Sequence, residues 1–294
     1  MIHIFFRSIG FHEMTENADV YKVVDDVIRH PDEQYVDQDS FGNDFACFSK
    51  YVGSDMGISA CGSFTRDDRF RVEYYFPFFR GTHVSTREPV DIERQAGNES
   101  FYGICDELKM GIPLIFYISN VGDVFRDSRC GGQQVAEGNT VLSGLAHHGK
   151  ILFPIMHNEE TAEIRQKSSE KRMTLMQQAR DGDKTAMENL TLSDMDLYAS
   201  ISRRVVKEDV LSIVESSIIP YGVESDQYTV IGEIEDVYVV RNQISNEKVW
   251  VLTLLCNDLE FDVCINENDL LGEPEVGRRF KGRIWMQGYV NFKY

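Results

Sequence analysis

The stretch from Pro220 to Tyr294 constrains the fold more than any other part of the chain, because strand periodicity recurs through it. Tyr228 to Val240 is rich in β-branched and aromatic residues, which suit a pleated, half-buried surface. Tyr228, Val230 and Ile234 share one parity, while Val237 and Val239 share the other. The inward face therefore changes at Glu235 and Asp236, just after Gly232. A bulge or sharp coil there lets one long strand serve two sheets. Beyond the polar turn from Asn242 to Lys248, Val249 to Leu255 is apolar on both faces, as a doubly covered strand is. Leu259, Phe261, Val263 and Ile265 then alternate with Glu260, Asp262, Cys264 and Asn266, which predicts one face in the core and one in water. Glu267 to Gly277 suits a short helical turn and a loop. Phe280, Ile284 and Met286 predict a fourth strand, broken at Gly288 before a fifth from Tyr289 to Phe292. Five short strands, the first long and bent, predict a self-contained OB-like barrel; an open five-stranded sheet is the competing arrangement.

A chain of 294 residues is one large or two ordinary domains, long enough to bury a core without metal or disulfide staples. Acidic residues number 48 against 30 basic, a formal charge of −18 that repels phosphate backbones on average. Cysteines 47, 61, 105, 130, 256 and 264 form no CxxC pair and no framework spacing, so reduced, mostly buried thiols in a cytoplasm are expected. The apolar run at Ile2 to Phe6 is too short for a signal or a membrane span, and no later run approaches the length of a span.

Taken in order, Ile2 to Phe6 predicts a strand. Asn17 to about His30 predicts a helix with a stripe of Val20, Val23, Val24, Val27 and Ile28, ended by Pro31. Residues 32–42 read as a polar loop. Three hairpins follow: Ile58 to Phe64 with Phe70 to Phe79, Ser100 to Glu107 with Ile112 to Ser119, and Thr140 to Ala146 with Lys150 to Met156 around His147, His148 and Gly149. A long charged helix from Asn158 to Asp181 ends at Gly182, followed by helices around Lys184 to Asn189 and Asp194 to Val206. Residues 210–219 fit helix or strand equally.

Candidate chemistry is sparse. Gly144 to Lys150 has the spacing of a phosphate loop, but Ile151 replaces the magnesium-binding hydroxyl and Pro154 bars the following helix. His147 and His148, adjacent on an extended segment, point to opposite faces and read as a solvated turn rather than a metal site. Gly57 to Gly62 misses a nucleophile elbow by one position, and Cys61 has only Arg66 nearby to favour a thiolate. Asp194, Asp196, Glu208, Asp209, Glu224 and Asp226 lack the fixed spacing of a calcium loop. The one basic cluster, Arg278, Arg279, Lys281 and Arg283 beside Trp285, carries the charges and the stacking ring that single strands use. Against it stand the net charge and Glu260 and Asp262 on the presumed ligand face.

The strings Arg203 to Val210, Pro220 to Val223, Gly272 to Gly282 and Trp285 to Gly288, with Leu142 to Leu145 and Gly149 to Ile151, resemble an uncharacterised bacterial family of Clostridia-type gut Firmicutes whose function is unknown. The resemblance implies a bacterial, cytoplasmic origin and carries no catalytic residue over. The expectation is an α+β protein: an antiparallel-sheet domain with a flanking helix (1–157), a helical connector (158–219) and an OB-like five-stranded barrel (220–294). Its expected role is that of a non-enzymatic cytoplasmic binding or scaffold protein, presenting the barrel to a protein or small-molecule partner. The alternatives are single-stranded nucleic-acid binding through 278–283, and a hydrolase-type enzyme with its site between sheet domain and connector. No catalytic residue, metal ligand, cofactor or membrane contact is assigned.

Overall fold

In a computed structural model, the residues described are 3–14, 16–38, 42–107, 110, 112–129, 135–136, 138–155, 171–205, 211, 214–223 and 225–292. The chain opens with a 3-10 turn, Ile4–Ile9, where the apolar run predicts a strand. Helix α1 (Asn17–Arg29) buries Val20, Val24 and Val27. Strands β1 (Glu33–Gln38), β2 (Asp44–Gly53), β3 (Met56–Phe64) and β4 (Phe70–Phe79) form an antiparallel four-stranded sheet in sequence order. Residues 33–38, expected as loop, make its polar edge strand, which pairs with β2 from Glu33–Ser49 to Gln38–Asp44. Then come β5 (Val90–Arg94), β6 (Phe101–Cys105), β7 (Leu114–Ile118), helix α2 (Val121–Arg129), β8 (Val135–Ala136) and the 13-residue β9 (Thr140–Leu152).

Helix covers 171–180 and, after Gly182 at φ +93°, α3 (Lys184–Val205). The two short helices expected in that second region are one, whose start Asp183 caps by accepting from Thr185 N at 2.8 Å. Residues 158–170 and 206–210 lie outside the described residues. Ser217–Pro220 is strand β10, and the barrel strands β11 (Gln227–Arg241), β12 (Lys248–Cys256) and β13 (Leu259–Asn266) lie where their periodicity predicts them. After a 3-10 turn at Glu267–Asp269 come β14 (Leu270–Leu271) and β15 (Arg279–Val290).

The ring is closed, but not by Pro220 to Tyr294 alone. Its neighbours run β11, β12, β13, β9, β15 and back to β11, with β13 and β9 parallel and the other pairs antiparallel. β9 thus supplies the fifth stave from well before the expected barrel. The two final strands read from the sequence are one, β15, which passes through Gly288. A Cβ there would lie 2.4 Å from the Phe116 ring, so glycine serves packing rather than a break. The third expected hairpin is likewise one strand. Arg283 pairs with His148 and Ile284 with Ala146, which leaves His147 as the extra residue of a bulge rather than part of a turn. The bulge expected in β11 falls between Ile234 and Asp236; residues before it pair with β15 and those after it with β12 alone.

Two cores follow. Val230, Ile234, Leu252, Leu254, Phe261, Val263, Ile265, Phe280 and Ile284 fill the ring. The second core lies outside the ring, where Val249, Val251, Cys264, Leu145 and Trp285 meet Phe5, Phe6, Ile9 and the four-stranded sheet. From Asp262 to Asn266 the outer face of β13 is therefore not in water, and only Glu260 stays partly exposed. Asp262 is 1% exposed; its carboxylate accepts from Thr253 Oγ1 at 2.7 Å and from Thr82 N and Oγ1 at 2.7 and 2.8 Å. The 3-10 turn is tied over the same face: Asn242 Nδ2 donates to the Ile9 carbonyl at 2.7 Å, and Arg7 pairs with Asp269.

Two outcomes check this architecture. Residues 214–292 expressed alone should show no cooperative urea transition, and a monomeric, cooperative one would mean that the ring closes without β9. Asp262→Ala should lose about 1–3 kcal/mol in urea unfolding of the full chain, because the buried Thr253 hydroxyl is left without its acceptor and Thr82 loses its tie to the ring.

Candidate functional site

The registers of β1 to β4 lay two rows of side chains side by side on the face turned to the ring. One row is Tyr35, Cys47, Cys61 and Tyr74; the other is Glu33, Ser49, Ser59 and Phe76. The middle columns are small and the outer ones large, so the sheet carries a trough. The two cysteines, directly opposite with Cα atoms 4.2 Å apart, form a disulfide, and the two serine hydroxyls bond at 2.7 Å. This corrects the expectation of reduced thiols throughout. The signal was legible: Cys47 and Cys61 stand symmetrically about the turn at Ser54, so one hairpin had to make them partners.

The trough is roofed by Ser119, Asn120 and the first turn of α2, and by Tyr289 and Arg80, enclosing about 360 Å³. Gly122 allows the approach: a Cβ on it would lie 2.7 Å from Cγ of Tyr35. Arg80 grips Glu33 with two hydrogen bonds, 2.7 and 3.2 Å, and its guanidinium carbon lies 5.0 to 5.6 Å from the ring centres of Tyr289, Tyr51 and Phe78. Burial alone would raise the Glu33 carboxyl, but Arg80 outweighs it and holds the group below the usual range, so Glu33 is an anion at neutral pH. Arg126 pairs with Asp123 at 2.7 Å and lies over Tyr35. Asn120 Nδ2 also donates to Asp123, at 2.9 Å. Two cations and two anions thus face one cavity, each pair internally balanced.

A family model described as "Domain of unknown function, E. rectale Gene description (DUF3881)" matches residues 6–288. The chain belongs to that family. No curated protein and no solved structure matches it. The match to DUF3881 takes in every trough-lining residue except Tyr289.

The basic cluster of this DUF3881 chain is divided by the fold. Arg279 is buried and donates to the carbonyls of Phe153, Leu211 and Val214, tying β15 to the segment before β10. Arg278 binds Glu275 and the Glu273 carbonyl. Trp285 is buried, its Nε1 on Asp226 at 2.6 Å and its ring against His3, Phe5 and Tyr117, so no face is free for a base. Lys281 and Arg283 stand opposite Lys150 and His148 on the outer side of β15 and β9, and Arg283 stacks on Tyr221 at 3.4 Å. The presumed ligand face of the ring is occupied by the chain itself. Gly144 to Lys150 is strand throughout. Among the described residues no group of three potential metal ligands converges, and no helix is long and apolar enough to cross a membrane.

His147, read from the sequence as a solvated turn residue, is buried, with no hydrogen-bond partner for Nδ1. Burial first, then the neighbouring His148, Arg283 and Arg7, pull its pKa down to about 4, against a smaller upward pull from Asp269. An unfolded imidazole takes up its proton near pH 6.5. The stability that the neutral, folded ring provides is therefore full above that pH and falls away as the pH drops towards 4. Urea unfolding of wild type against His147→Gln should diverge over that window by on the order of 3 kcal/mol. Parallel curves would show that the ring is charged or solvated in the native state.

Proposed function

We propose that this is a binding protein whose ligand is a small polar molecule carrying both a positive and a negative group, held in the trough between the four-stranded sheet and α2. One observation carries the reading: four small side chains empty the floor beneath two arginine–carboxylate pairs. The volume falls within the range of small-molecule sites, and the lining is more polar than is usual for them, with the rings of Tyr35, Phe76 and Tyr289 set among charged and hydroxyl groups. A ligand carboxylate can share the Arg126 or Arg80 fork, and a ligand ammonium can share Asp123 or Glu33, so that every charge keeps a partner. Binding by the outer face of the ring is not supported, since the N-terminal turn and Thr82 already cover it. A bacterial setting agrees with the family description.

The test is calorimetric titration of the full chain with free amino acids and dipeptides. At least one should bind, and Arg126→Gln, a change at a surface ion pair, should weaken it about tenfold. Gly122→Ala, which presses on Tyr35, should weaken it too. Absence of binding across the panel, or binding indifferent to both substitutions, would remove the reading.

A further inference from the structure

Cys47 and Cys61 are the described cysteines that line the trough. Cys105, Cys256 and Cys264 are packed away from it; burial raises the Cys105 thiol to about 11 and the other two further still, which leaves them inert. The disulfide bridges two residues that the β2–β3 ladder already holds opposite each other from Phe45–Ser63 to Gly53–Met56, within a core of large apolar side chains. It is not needed to set the register. It forms part of the floor, beside the Ser49–Ser59 hydroxyl pair and under the charged groups of Arg80, Glu33, Asp123 and Arg126. A cystine that walls a ligand cavity is placed to react with what the cavity holds.

We infer that the Cys47–Cys61 cystine is a thiol–disulfide exchange site, and that the molecule received by the trough is a low-molecular-weight zwitterionic thiol. The inference rests on the binding reading above and adds the reactive group of the ligand. Cys47 is the sulfur attacked, because it is 8% exposed against 1% for Cys61. The bound thiol loses its proton to solvent, and its thiolate forms a bond to Cys47 Sγ as the protein S–S bond breaks. The electron pair of that bond leaves on Cys61, which takes a proton. A second thiol then attacks the mixed disulfide at the ligand sulfur and frees Cys47. In sum, one cystine and two thiols become two cysteines and one small disulfide: two electrons pass to the protein, and the protons balance. Run backwards, a small disulfide re-oxidises the protein.

The probes are L-cysteine, a zwitterionic thiol, and 2-mercaptoethanol, an uncharged one, acting on the full-length oxidised chain while free protein thiols are counted over time. With rates corrected for thiolate fraction, L-cysteine should give a rate that saturates with concentration and 2-mercaptoethanol one that stays linear. Arg126→Gln should raise the half-saturating L-cysteine concentration about tenfold. In peptide mass spectra, Cys61→Ser treated with cystine should carry a cysteine adduct on Cys47, and Cys47→Ser should carry none on Cys61. Linear kinetics with both thiols at equal corrected rates would overturn the inference, without any variant having to fold. S-methyl-L-cysteine, which cannot exchange, separates the two readings. If it binds while exchange stays unsaturable, the trough binds but the cystine is not its partner; if it does not bind and exchange stays unsaturable, both readings fail.

Discussion

The pairing of β9 with β15 and β13 is the interaction on which the rest of the structure depends. β15 meets β9 from Arg279–Leu152 to Val290–Thr140, and β13 meets it in parallel through four residues. Without that stave, β13 and β15 would each carry an open edge, and the apolar interior of the ring would face solvent. Counted from β11, with β9 as the last member, the ring runs first, second, third, fifth, fourth, the third and fifth parallel. It is an OB-like ring whose final stave comes from earlier in the chain. The barrel is thus built from both sides of the α3 segment and cannot be assigned to the C-terminal stretch alone.

This arrangement decides where a ligand can go. In a free-standing small barrel the outer faces of the second and third strands are open and bind partners. Here the second core packs on that side, and Asp262 is satisfied by Thr253 and Thr82 rather than by water. Of the two carboxylates that argued from sequence against a polyanion, Asp262 is part of an internal seam, while Glu260 stays partly exposed. Trp285 and Arg279, which looked like a stacking ring and a phosphate contact, serve the same seam, one bonded to Asp226 and the other to three carbonyls. A buried guanidinium must find such acceptors. What appears in sequence as a binding cluster is largely the mortar between parts of the chain.

Covering the ring leaves the four-stranded sheet with two unlike faces. The face bearing Lys50 turns to α1, where its Nζ meets Asp26 at 2.6 Å. The other face is too small at Cys47, Ser49, Ser59 and Cys61 to fill the space under α2, and the cavity is what remains. Its charges come from β1, the end of β4 and α2 and are matched at the mouth, so the site is polar without being strongly of one sign. That balance favours a ligand with both charges over a polyanion.

Sequence alone determined the elements with strong local period: α1 from its valine stripe, the β3–β4 and β6–β7 hairpins, β11 with its bulge, and β12 and β13. It also determined the membership of the ring interior, since Leu259, Phe261, Val263 and Ile265 alternate and do point inward. The partner of a strand is not a local property. Nothing in Thr140 to Leu152 says that its neighbours lie more than a hundred residues ahead, so a histidine bulge read as a turn. Nor does alternation reveal what stands on the second face of a strand; Asp262 and Asn266 have the pattern of solvent-facing residues and the environment of core. The trough was half legible, because a hairpin centred on Ser54 makes Cys47 and Cys61 neighbours. Its roof was not, since Arg80, Asp123, Arg126 and Tyr289 converge only when β7, α2 and β15 dock beside the sheet. Tertiary structure decided that, because long-range pairing brings together groups that carry no mutual signal along the chain.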